Sequence, residues 1–496
     1  MKHALRELIV ENKRIYKKFC FIFFYLLFIY SSKGNINNPL YTTIAKKFER
    51  DNFLTKESIS CNIYDPIYLM GERLKKLPIS ICDDEKSRHI CYQNSKYNNY
   101  NKLASKKYGV ICLSENLILD PSKSLHTDLI YKGPVDNLNR GSPILYKGFF
   151  NMKCNIQQLF KKYNKIYNNY FNSWNYNYIE TEEHLQELAP GKTVFFISRN
   201  QDSPNLFHGI SEIINCVSIM YLFDIDPNDI QVVFLESINL KNDPFSYLYS
   251  NIISRGGKPI FINNLKRKYH INRAIHIPIN WDSPAFIYLS DPAGYPKCKY
   301  STQTYKILNN LINKYINIPT FHDSFKSDNE TFFYPDNVIK NFEQHSCFNK
   351  TITIQWRKVW PKGRTFQKRI LGNGVQLADK LASILPNNYL IRLVDTASLS
   401  FIEQVSIMRT SDYLIGIHGA GLSLSIFMPS QSVLYEIRAE NNSKVLMLMS
   451  ALSGHKVYSD IIKSELKIID TNEVFFFDID DFGEKAYKQI KDNDQF

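Results

Sequence analysis

The amino-acid sequence predicts an α/β protein with two doubly wound, Rossmann-like domains that face a cleft. Short apolar runs typical of buried strands alternate with segments of helical periodicity between residues 193 and 277, and again between residues 351 and 437. A stretch rich in Asp and Phe, His322–Glu343, separates the two series and is typical of a linker. Strands that alternate with helices favour parallel sheets, which bind ligands at the carboxyl ends of their strands.

The composition indicates a folded protein with two or three domains. The chain has 496 residues, of which 44% are hydrophobic and 14% aromatic, and this excludes wholesale disorder. Its formal charge of +13 arises from scattered Lys and Arg residues, and no nucleic-acid-binding motif is present. We therefore expect no nucleic-acid partner, whereas a basic enzyme that handles anionic nucleotides fits the charge.

The N-terminus carries a localisation signal. Four basic residues within 13–18 precede twelve apolar or aromatic residues, Phe19–Tyr30. This run is shorter than the roughly 20 residues of a free-standing spanning helix, so a cleaved signal peptide, a short signal anchor and a buried helix are the alternatives. No small-x-small cleavage site follows, which favours the anchor. We therefore expect a type II protein of the Golgi or endoplasmic reticulum membrane, with its main part in the lumen.

Nine cysteines agree with a lumenal location. Cys20 lies within the apolar run, and the other eight form an even number, with five of them before residue 155. Disulfides in the N-terminal third are therefore expected, with several pairings possible. No Cys/His cluster has the spacing of a zinc site, so no metal site is predicted. Sequons at Asn329, Asn349 and Asn441 are candidates for N-glycosylation wherever they are lumenal and exposed.

These patterns divide the chain into four segments. Residues 1–34 are predicted to be a cytosolic tail and signal anchor. Residues 35–105 are polar and rich in Lys and Asn, and are predicted to be a stem or irregular extension. The Rossmann-like domains are predicted over residues 106–343 and 344–496. This layout is typical of a GT-B glycosyltransferase.

A glycine-rich turn in the second series is the most informative motif. The apolar run Tyr413–Ile417 ends in a turn with two glycines, and a short helix and a further strand, Val433–Ile437, follow. Such glycines let the backbone approach a ligand, and amides at the helix start bind a diphosphate well, although a tight turn alone also requires glycine. The candidate diphosphate-binding residues of this stretch are His418, Gly419, Ala420, Gly421, Leu422, Ser423 and Glu436.

A basic loop after the strand Thr351–Gln355 is a second candidate for phosphate binding. Arg357 follows the strand and Arg369 comes twelve positions later, with further basic residues between them. Arginine matches phosphate oxygens with two parallel hydrogen bonds, so the loop can clamp a diphosphate. A solvated basic loop is the alternative.

A helix in the first series is the candidate for the catalytic group. Apolar residues recur at helical spacing from Phe207 to Tyr221, and Asn205 is placed to cap the helix. His208 and Glu212 lie one turn apart on a different face. A histidine and a carboxylate just past the carboxyl end of a strand can take a proton from an attacking hydroxyl. The alternative is a surface pair without a role.

Together these motifs resemble glycosyltransferase family 61. The resemblance covers residues 190–440 and rests on Asn205–His208, Trp281–Pro284, the two arginines with Asn373, and Asp412–Leu422. It implies a GT-B fold, a UDP-sugar donor, inversion at the anomeric carbon, and no cofactor or required metal. It further implies that GlcNAc or xylose is transferred to a hydroxyl of a glycan or glycoprotein.

The resemblance also implies roles for individual residues. It assigns the second domain to the donor, with Asn373 on the donor side, and the first domain to the acceptor, with Asn205 and Asp282 facing it. Glu212 or His208 is then the catalytic base. Gly374 and Leu424 depart from the family pattern, so a catalytically inactive, lumenal glycan-binding protein is the alternative function.

Overall fold

The computed structural model describes about two thirds of the chain, which includes two large β-sheets. The described residues are 46–48, 61, 64–74, 79–83, 87–93, 110–125, 144–154, 172–178, 184–198, 205–235, 245–277, 298, 300–323, 331–345, 348–358, 369–439, 445–469 and 472–494. The predicted anchor, the acceptor candidate Asp282 and the sequons at Asn329 and Asn441 lie outside these residues. Asn349 is exposed directly before a strand.

The described strands and helices alternate as the two apolar series predict. The strands are β1 (Ile79–Asp83), β2 (Arg88–Gln93), β3 (Val110–Leu119), β4 (Ser124–Leu125), β5 (Ile144–Leu145), β6 (Phe150–Asn151), β7 (Trp174–Asn175), β8 (Thr193–Ile197), β9 (Ile230–Phe234), β10 (Ile260–Phe261), β11 (Tyr269–Ile277), β12 (Phe332–Phe333), β13 (Lys350–Gln355), β14 (Ile370–Leu371), β15 (Tyr389–Val394), β16 (Tyr413–Ile417), β17 (Val433–Arg438), β18 (Lys456–Ile461), β19 (Ser464–Ile469) and β20 (Asn472–Phe477). The α-helices are α1 (Pro66–Leu74), α2 (Leu206–Phe223), α3 (Ser246–Leu248), α4 (Gln303–Tyr315), α5 (Asp336–His345), α6 (Gly374–Ile384), α7 (Phe401–Arg409), α8 (Val445–Leu452) and α9 (Ile479–Asp494).

The first sheet has the strand order β1-β2-β3-β11-β8-β9-β10. Strands β11, β8, β9 and β10 are mutually parallel, whereas β3, β2 and β1 continue the sheet in antiparallel fashion. The chain runs from β8 through β9 to β10 on one side and returns to place β11 on the other side of β8. The carboxyl ends of β8 and β11 therefore border the crevice in which doubly wound sheets bind ligands.

Part of the predicted stem belongs to this folded unit. The described part of residues 35–105 includes α1, β1 and β2, and two disulfides, Cys82–Cys154 and Cys91–Cys112, link these strands to later chain. A third disulfide joins Cys61 to Cys298. The polar composition of residues 35–105 concealed these strands, which disulfides to distant parts of the chain help to hold. The sequence left the cysteine pairing open. The three disulfides covalently link residues 61–91 to the first folded unit.

The buried carboxylate of Asp65 docks α1 on the rest of the fold. It accepts hydrogen bonds from the amide (2.8 Å) and hydroxyl (2.6 Å) of Thr304, in the first turn of α4, and from the amide of Ile67 (2.8 Å). Burial raises the pKa of Asp65, although the hydrogen bonds from Thr302, Thr304 and Ile67 lower it. An irregular extension would not bury a carboxylate with this many partners.

The second sheet has the order β12-β15-β13-β16-β17-β18, with five parallel strands and β12 as an antiparallel edge. The predicted linker therefore contains two elements of this unit, β12 and α5, and the second unit begins before the predicted boundary at residue 344. Two residues are too few for β12 to produce a recognisable period. Asp323 also anchors the segment, because it accepts two hydrogen bonds from the fully buried Arg392 of β15 (2.8 and 2.9 Å).

Apolar packing joins the two sheets. One continuous buried cluster includes residues of α2 and α4 together with residues of α7, α8 and the 3₁₀ helix Ala420–Phe427. A second cluster lies under α6 and α9 on the other face of the second sheet. Among the described helices, α2 alone is long and apolar enough to span a membrane, but 83% of it is buried inside the protein, as in a core helix.

A small third sheet, β14-β20-β19, borders the second unit. Strand β14 pairs with β20 in parallel, and β20 pairs with β19 in antiparallel fashion. Because β14 begins directly after Arg369, this sheet fixes the backbone on which that arginine lies.

Candidate functional site

The glycine turn and Arg357 lie side by side at a topological switch point. Strands β13 and β16 are parallel neighbours, and β15 lies on the other side of β13. The chain leaves β13 toward β15 and then crosses back to β16, so the connections diverge above the ends of β13 and β16. Arg357 follows β13, and His418 to Gly421 follow β16. This is where open parallel sheets bind their ligands.

The guanidinium of Arg357 lies directly on the glycine turn. Its Nη1 donates to the carbonyl oxygen of His418 at 3.2 Å. A Cβ atom added to Gly419 would lie 1.5 Å from that nitrogen, so only glycine leaves room for the arginine. Because the φ of Gly419 is 170°, the glycine is required here for space and not for its backbone conformation. The turn therefore holds a cation against its own backbone.

Gln355, which the sequence analysis did not single out, fills the space beside the second glycine. It is the last residue of β13, and a Cβ atom on Gly421 would lie 1.9 Å from its Nε2. The same Nε2 donates to the hydroxyl of Thr396 at 2.9 Å. The two glycines thus accommodate two side chains from the neighbouring strand, a requirement that the motif alone did not reveal.

His418 and Glu436 form a buried pair beside the turn. The Nδ1 of His418 lies 2.5 Å from Oε1 of Glu436, and the hydroxyl of Ser459 donates to Oε2 of Glu436 at 3.3 Å. Glu436 is fully buried, and 8% of His418 is exposed. A carboxylate that accepts from Nδ1–H fixes the tautomer and the orientation of the ring. The sequence placed both residues here, and the structure brings them into contact.

The short helix predicted after the turn is a 3₁₀ helix, Ala420–Phe427. The side chain of Leu422 is fully buried in the apolar core, so only its backbone can face a ligand. The hydroxyl of Ser423 donates to the carbonyl of Ala420 at 2.6 Å. The contribution of Ala420, Leu422 and Ser423 to a ligand site is thus limited to their backbone, apart from the Ser423 oxygen.

The two predicted arginines lie close together in the fold. The amide of Leu371 donates to the carbonyl of Arg357 at 3.0 Å, which places Arg369, two residues before Leu371, near Arg357. Arg369 has a φ of 65°, in the left-handed region that non-glycine residues rarely adopt. Its Nε is buried without a hydrogen-bond partner among the described residues. The local backbone thus holds Arg369 in an uncommon conformation at the site.

Asn373 has a structural role in place of the predicted donor contact. Its Nδ2 donates to the carbonyl of Phe477 at 2.8 Å, and its Oδ1 accepts from the amide of Phe477 at 3.1 Å. This paired contact joins the start of α6 to the end of β20. The sequence could not anticipate it, because the two residues are far apart along the chain.

The predicted catalytic pair lies in the first two turns of α2. Asn205 caps the helix, since its Oδ1 accepts from the amide of Phe207 at 3.1 Å. His208 and Glu212 are both buried, and the hydroxyl of Tyr249 donates to Oε2 of Glu212 at 3.4 Å. The alternative of a surface-exposed pair is therefore excluded, because both side chains are buried. Helix α2 packs against the 3₁₀ helix Ala420–Phe427, so the pair and the glycine turn belong to neighbouring elements.

Comparison with known proteins identifies the second unit. Residues 283–435 match the family model described as Glycosyltransferase 61. The chain carries a glycosyltransferase family 61 domain. It includes Arg357, Arg369 and the glycine turn, and it ends one residue before Glu436. The resemblance predicted from the motifs is confirmed.

Three related sequences are each named EGF domain-specific O-linked N-acetylglucosamine transferase. The Xenopus laevis protein is 38% identical over 56 residues, which is 11% of each chain. The Mus musculus protein is 26% identical over 124 residues, and the Bos taurus protein is 25% identical over 130 residues. Each of these two matches covers 24% of this chain and 23% of the relative. The aligned region is thus less than a quarter of these relatives.

Arg438, three residues beyond the matched range, is a further candidate that the sequence motifs did not reveal. It is the last residue of β17, the parallel neighbour of β16, and it is 7% exposed. A charged residue at the carboxyl end of a central parallel strand is the signal that could have revealed it.

Proposed function

We propose that this protein is an inverting glycosyltransferase that transfers GlcNAc from a UDP-sugar to a hydroxyl of a glycoprotein or glycan, without a metal ion, in the secretory lumen. We further propose a GT-B arrangement, with the donor on the second sheet and the acceptor on the first. The observation that carries this proposal is the contact of Arg357 with the backbone of the glycine turn at the switch point. GlcNAc is chosen over xylose because the printed names of the relatives specify it.

The second sheet supplies the groups that stabilise the leaving diphosphate. Negative charge accumulates on the diphosphate as the bond from the sugar C1 to its oxygen breaks. Arg357 and Arg369 lie where they can bind these oxygens, and the amides of residues 419–422 begin the 3₁₀ helix beside them. Fixed donors aimed at developing charge are usually the largest single contribution to catalysis. Two guanidinium groups can perform this role without a divalent metal.

His418 orients the same site. Glu436 accepts a hydrogen bond from the Nδ1–H of the ring. This leaves Nε2 as the ring atom that can contact the donor. Because Glu436 is fully buried and its Oε2 is bound by Ser459, the carboxylate holds the ring and does not itself reach a substrate.

The acceptor hydroxyl requires a base on the opposite face of the sugar from the diphosphate. Glu212 lies deeper in the helix packing, where Tyr249 binds it, and His208 lies one turn closer to the crevice. We assign proton removal to His208 and the positioning of its ring to Glu212. The proton moves from the acceptor oxygen to the imidazole as the oxygen attacks C1 and UDP departs.

The test is UDP release by the purified full-length protein with a panel of UDP-sugars, in the presence of EDTA, with and without a folded EGF domain as acceptor. We expect UDP release from UDP-GlcNAc that the acceptor accelerates. Activity that EDTA abolishes would contradict the metal-independent mechanism, and release from UDP-xylose alone would correct the donor.

Matched substitutions test the assignment of the base. His208→Gln should lower kcat at least about a hundredfold, the size of effect expected for a general base, and leave donor KM within threefold. Glu212→Gln should lower kcat less and shift the pH dependence of kcat. If Glu212→Gln has the larger effect and His208→Gln is nearly silent, the two roles are exchanged.

The departures from the family pattern favour one alternative, an inactive glycan-binding protein. Leu424 stands where family members often have Asn, and its side chain is fully buried in the core. It therefore offers no polar group to a donor. Binding of UDP without turnover of any donor, in the presence of acceptor, would support this alternative.

A further inference from the structure

The outer strand of the small third sheet is an exposed apolar edge. All six residues of β19 are exposed, and Leu466, Ile468 and Ile469 are 50%, 65% and 45% exposed. One edge of β19 pairs with β20, and no strand of the described residues pairs with the other. Natural proteins usually shorten, charge or cover such an edge, because it is a template for pairing with another chain.

The free edge presents alternate backbone groups. Lys463 directly precedes β19 and Asp478 directly follows β20. The carbonyl of Lys463 accepts a hydrogen bond from the amide of Asp478, so the backbone of Lys463 faces the β20 side. Antiparallel pairing alternates along a strand, and therefore Ser464, Leu466 and Ile468 direct their amides and carbonyls outward. Six backbone groups are thus available to a further strand.

The charges on β19 are arranged for self-pairing. Glu465 and Lys467 are on the same face, with Oε2 of Glu465 3.5 Å from Nζ of Lys467. In a two-fold antiparallel pair centred on Leu466, Glu465 faces Lys467 of the second copy, and this pair occurs twice. A shift of the centre to Glu465 or to Lys467 would place like charges opposite each other, which is unfavourable.

We propose that β19 pairs with β19 of a second copy of this chain to form a two-fold symmetric dimer, with Leu466 opposite its symmetry mate. The outward backbone groups of Ser464, Leu466 and Ile468 then form about six hydrogen bonds between the copies. The exposed side chains of Leu466 and Ile468 come together on the face that continues from Phe475 of β20. The two three-stranded sheets become one six-stranded sheet.

This dimer would extend the sheet that carries Arg369. Strand β14 follows Arg369 directly and is separated from β19 only by β20. The inference does not depend on the proposed enzymatic activity, because it rests on the edge of β19 and its charges.

Cysteine cross-linking tests the register in the full-length protein. Leu466→Cys should form an intermolecular disulfide under mild oxidation, because directly opposed residues in a hydrogen-bonded pair have Cα atoms about 5.5 Å apart, within the disulfide range. Ile468→Cys is the matched control, since its two copies would be about 14 Å apart. Equal cross-linking at both positions, or none at position 466, would overturn the proposal.

Charge exchange provides an independent test by sedimentation velocity in a density-matched detergent. The native protein should dimerise at micromolar concentration, and Lys467→Glu should raise the dissociation constant about tenfold or more, because two like-charge pairs replace two attractive pairs. The double variant Glu465→Lys/Lys467→Glu should restore dimerisation to within about threefold of the native value. A native protein that is monomeric, or a dimer indifferent to Lys467→Glu, would show that β19 is not the interface.

Discussion

The two parallel sheets position their candidate site residues by different means. On the second sheet, Arg357, His418 and Arg438 follow or end neighbouring parallel strands, so backbone topology alone brings them together. On the first sheet, His208 and Glu212 lie on one helix and are buried against a neighbouring element. The proposed donor side therefore depends on charge at a fixed backbone, whereas the proposed acceptor side depends on how one helix is held.

The largest expected effect tests the charge on the second sheet. Arg357→Ala should lower kcat/KM about a hundredfold to a thousandfold, because a fixed donor to the leaving group is lost. Thermal stability should change little, since Arg357 is only half-buried. Lys358→Ala is the control, because the Lys358 ammonium lies over the ring of Trp356 at 3.5 Å and is not assigned to the site. Equal losses of kcat/KM in both variants would mean that the positive charge of this region matters and that the specific position of Arg357 does not.

A glycine substitution tests whether the turn depends on space. Gly421→Ala should cost about 1–3 kcal/mol of stability, as overpacking in a close contact does, because the new methyl group meets Gln355. Adding Gln355→Ser should recover a large part of the loss. Chemical denaturation of the single and double variants measures this coupling. If Gln355→Ser gives no recovery, the glycine is required by a ligand or by the backbone and not by Gln355.

A pH titration compares the two halves of the molecule directly. Burial lowers the pKa of His89, on the first sheet, to about 3 and that of His455, beside the second sheet, to about 4. In the unfolded chain both protonate near pH 6.5, so the unfolded state gains protons first as the pH falls. Stability should therefore fall by about 2 kcal/mol per histidine between pH 7 and pH 5.

Single substitutions isolate these two contributions. His455→Gln and His89→Gln should each reduce the loss measured by urea unfolding between pH 7 and pH 5 by about 2 kcal/mol. The buried His276, whose pKa burial also lowers, contributes to the loss that remains. A stability that does not change over this range would mean that neither imidazole is held neutral.

The smallest expected effect concerns the helix cap on the acceptor side. Asn205→Ala should cost about 1 kcal/mol, because the amide of Phe207 loses its acceptor, whereas Asn205→Ser should retain the cap. If Asn205 also contacts the acceptor, Asn205→Ser would keep the melting temperature yet raise acceptor KM. Unchanged kinetics in a stable Asn205→Ser variant would limit this residue to a structural role.

The sequence predicted the second sheet better than the first. The strands β13, β15, β16 and β17 are five or six residues long and mainly apolar or β-branched, so local pattern was sufficient to predict them. The strands β1 and β2 were missed because they lie in a polar segment and are held by disulfides to distant chain. Strand β12 was missed because it has only two residues. Local patterns do not contain information about pairing partners that are far apart in sequence.

In the candidate site, too, contacts that follow from local strand pairing could be predicted from the sequence, whereas contacts between distant residues could not. The contact between His418 and Glu436 was within reach of the sequence, because parallel neighbours place Gly416 opposite Glu436 and His418 just beyond. The role of Gln355 was not, because it depends on which side chain fills the space above each glycine. Asn373 was assigned to the donor by resemblance, but its amide binds Phe477, a partner more than a hundred residues away.

The hydrogen bond between the amide of Leu371 and the carbonyl of Arg357 allows the number of residues between Arg357 and Arg369 to vary. It closes the base of the loop between the two arginines, so both guanidinium groups start from a fixed backbone whatever the length of chain between them. The entropy of loop closure grows only logarithmically, and a doubled loop would cost only about 0.6 kcal/mol more. Residues can therefore be inserted or deleted between the two arginines while the backbone of Arg357 and Arg369 keeps its place, so the proposed diphosphate contacts tolerate variation there.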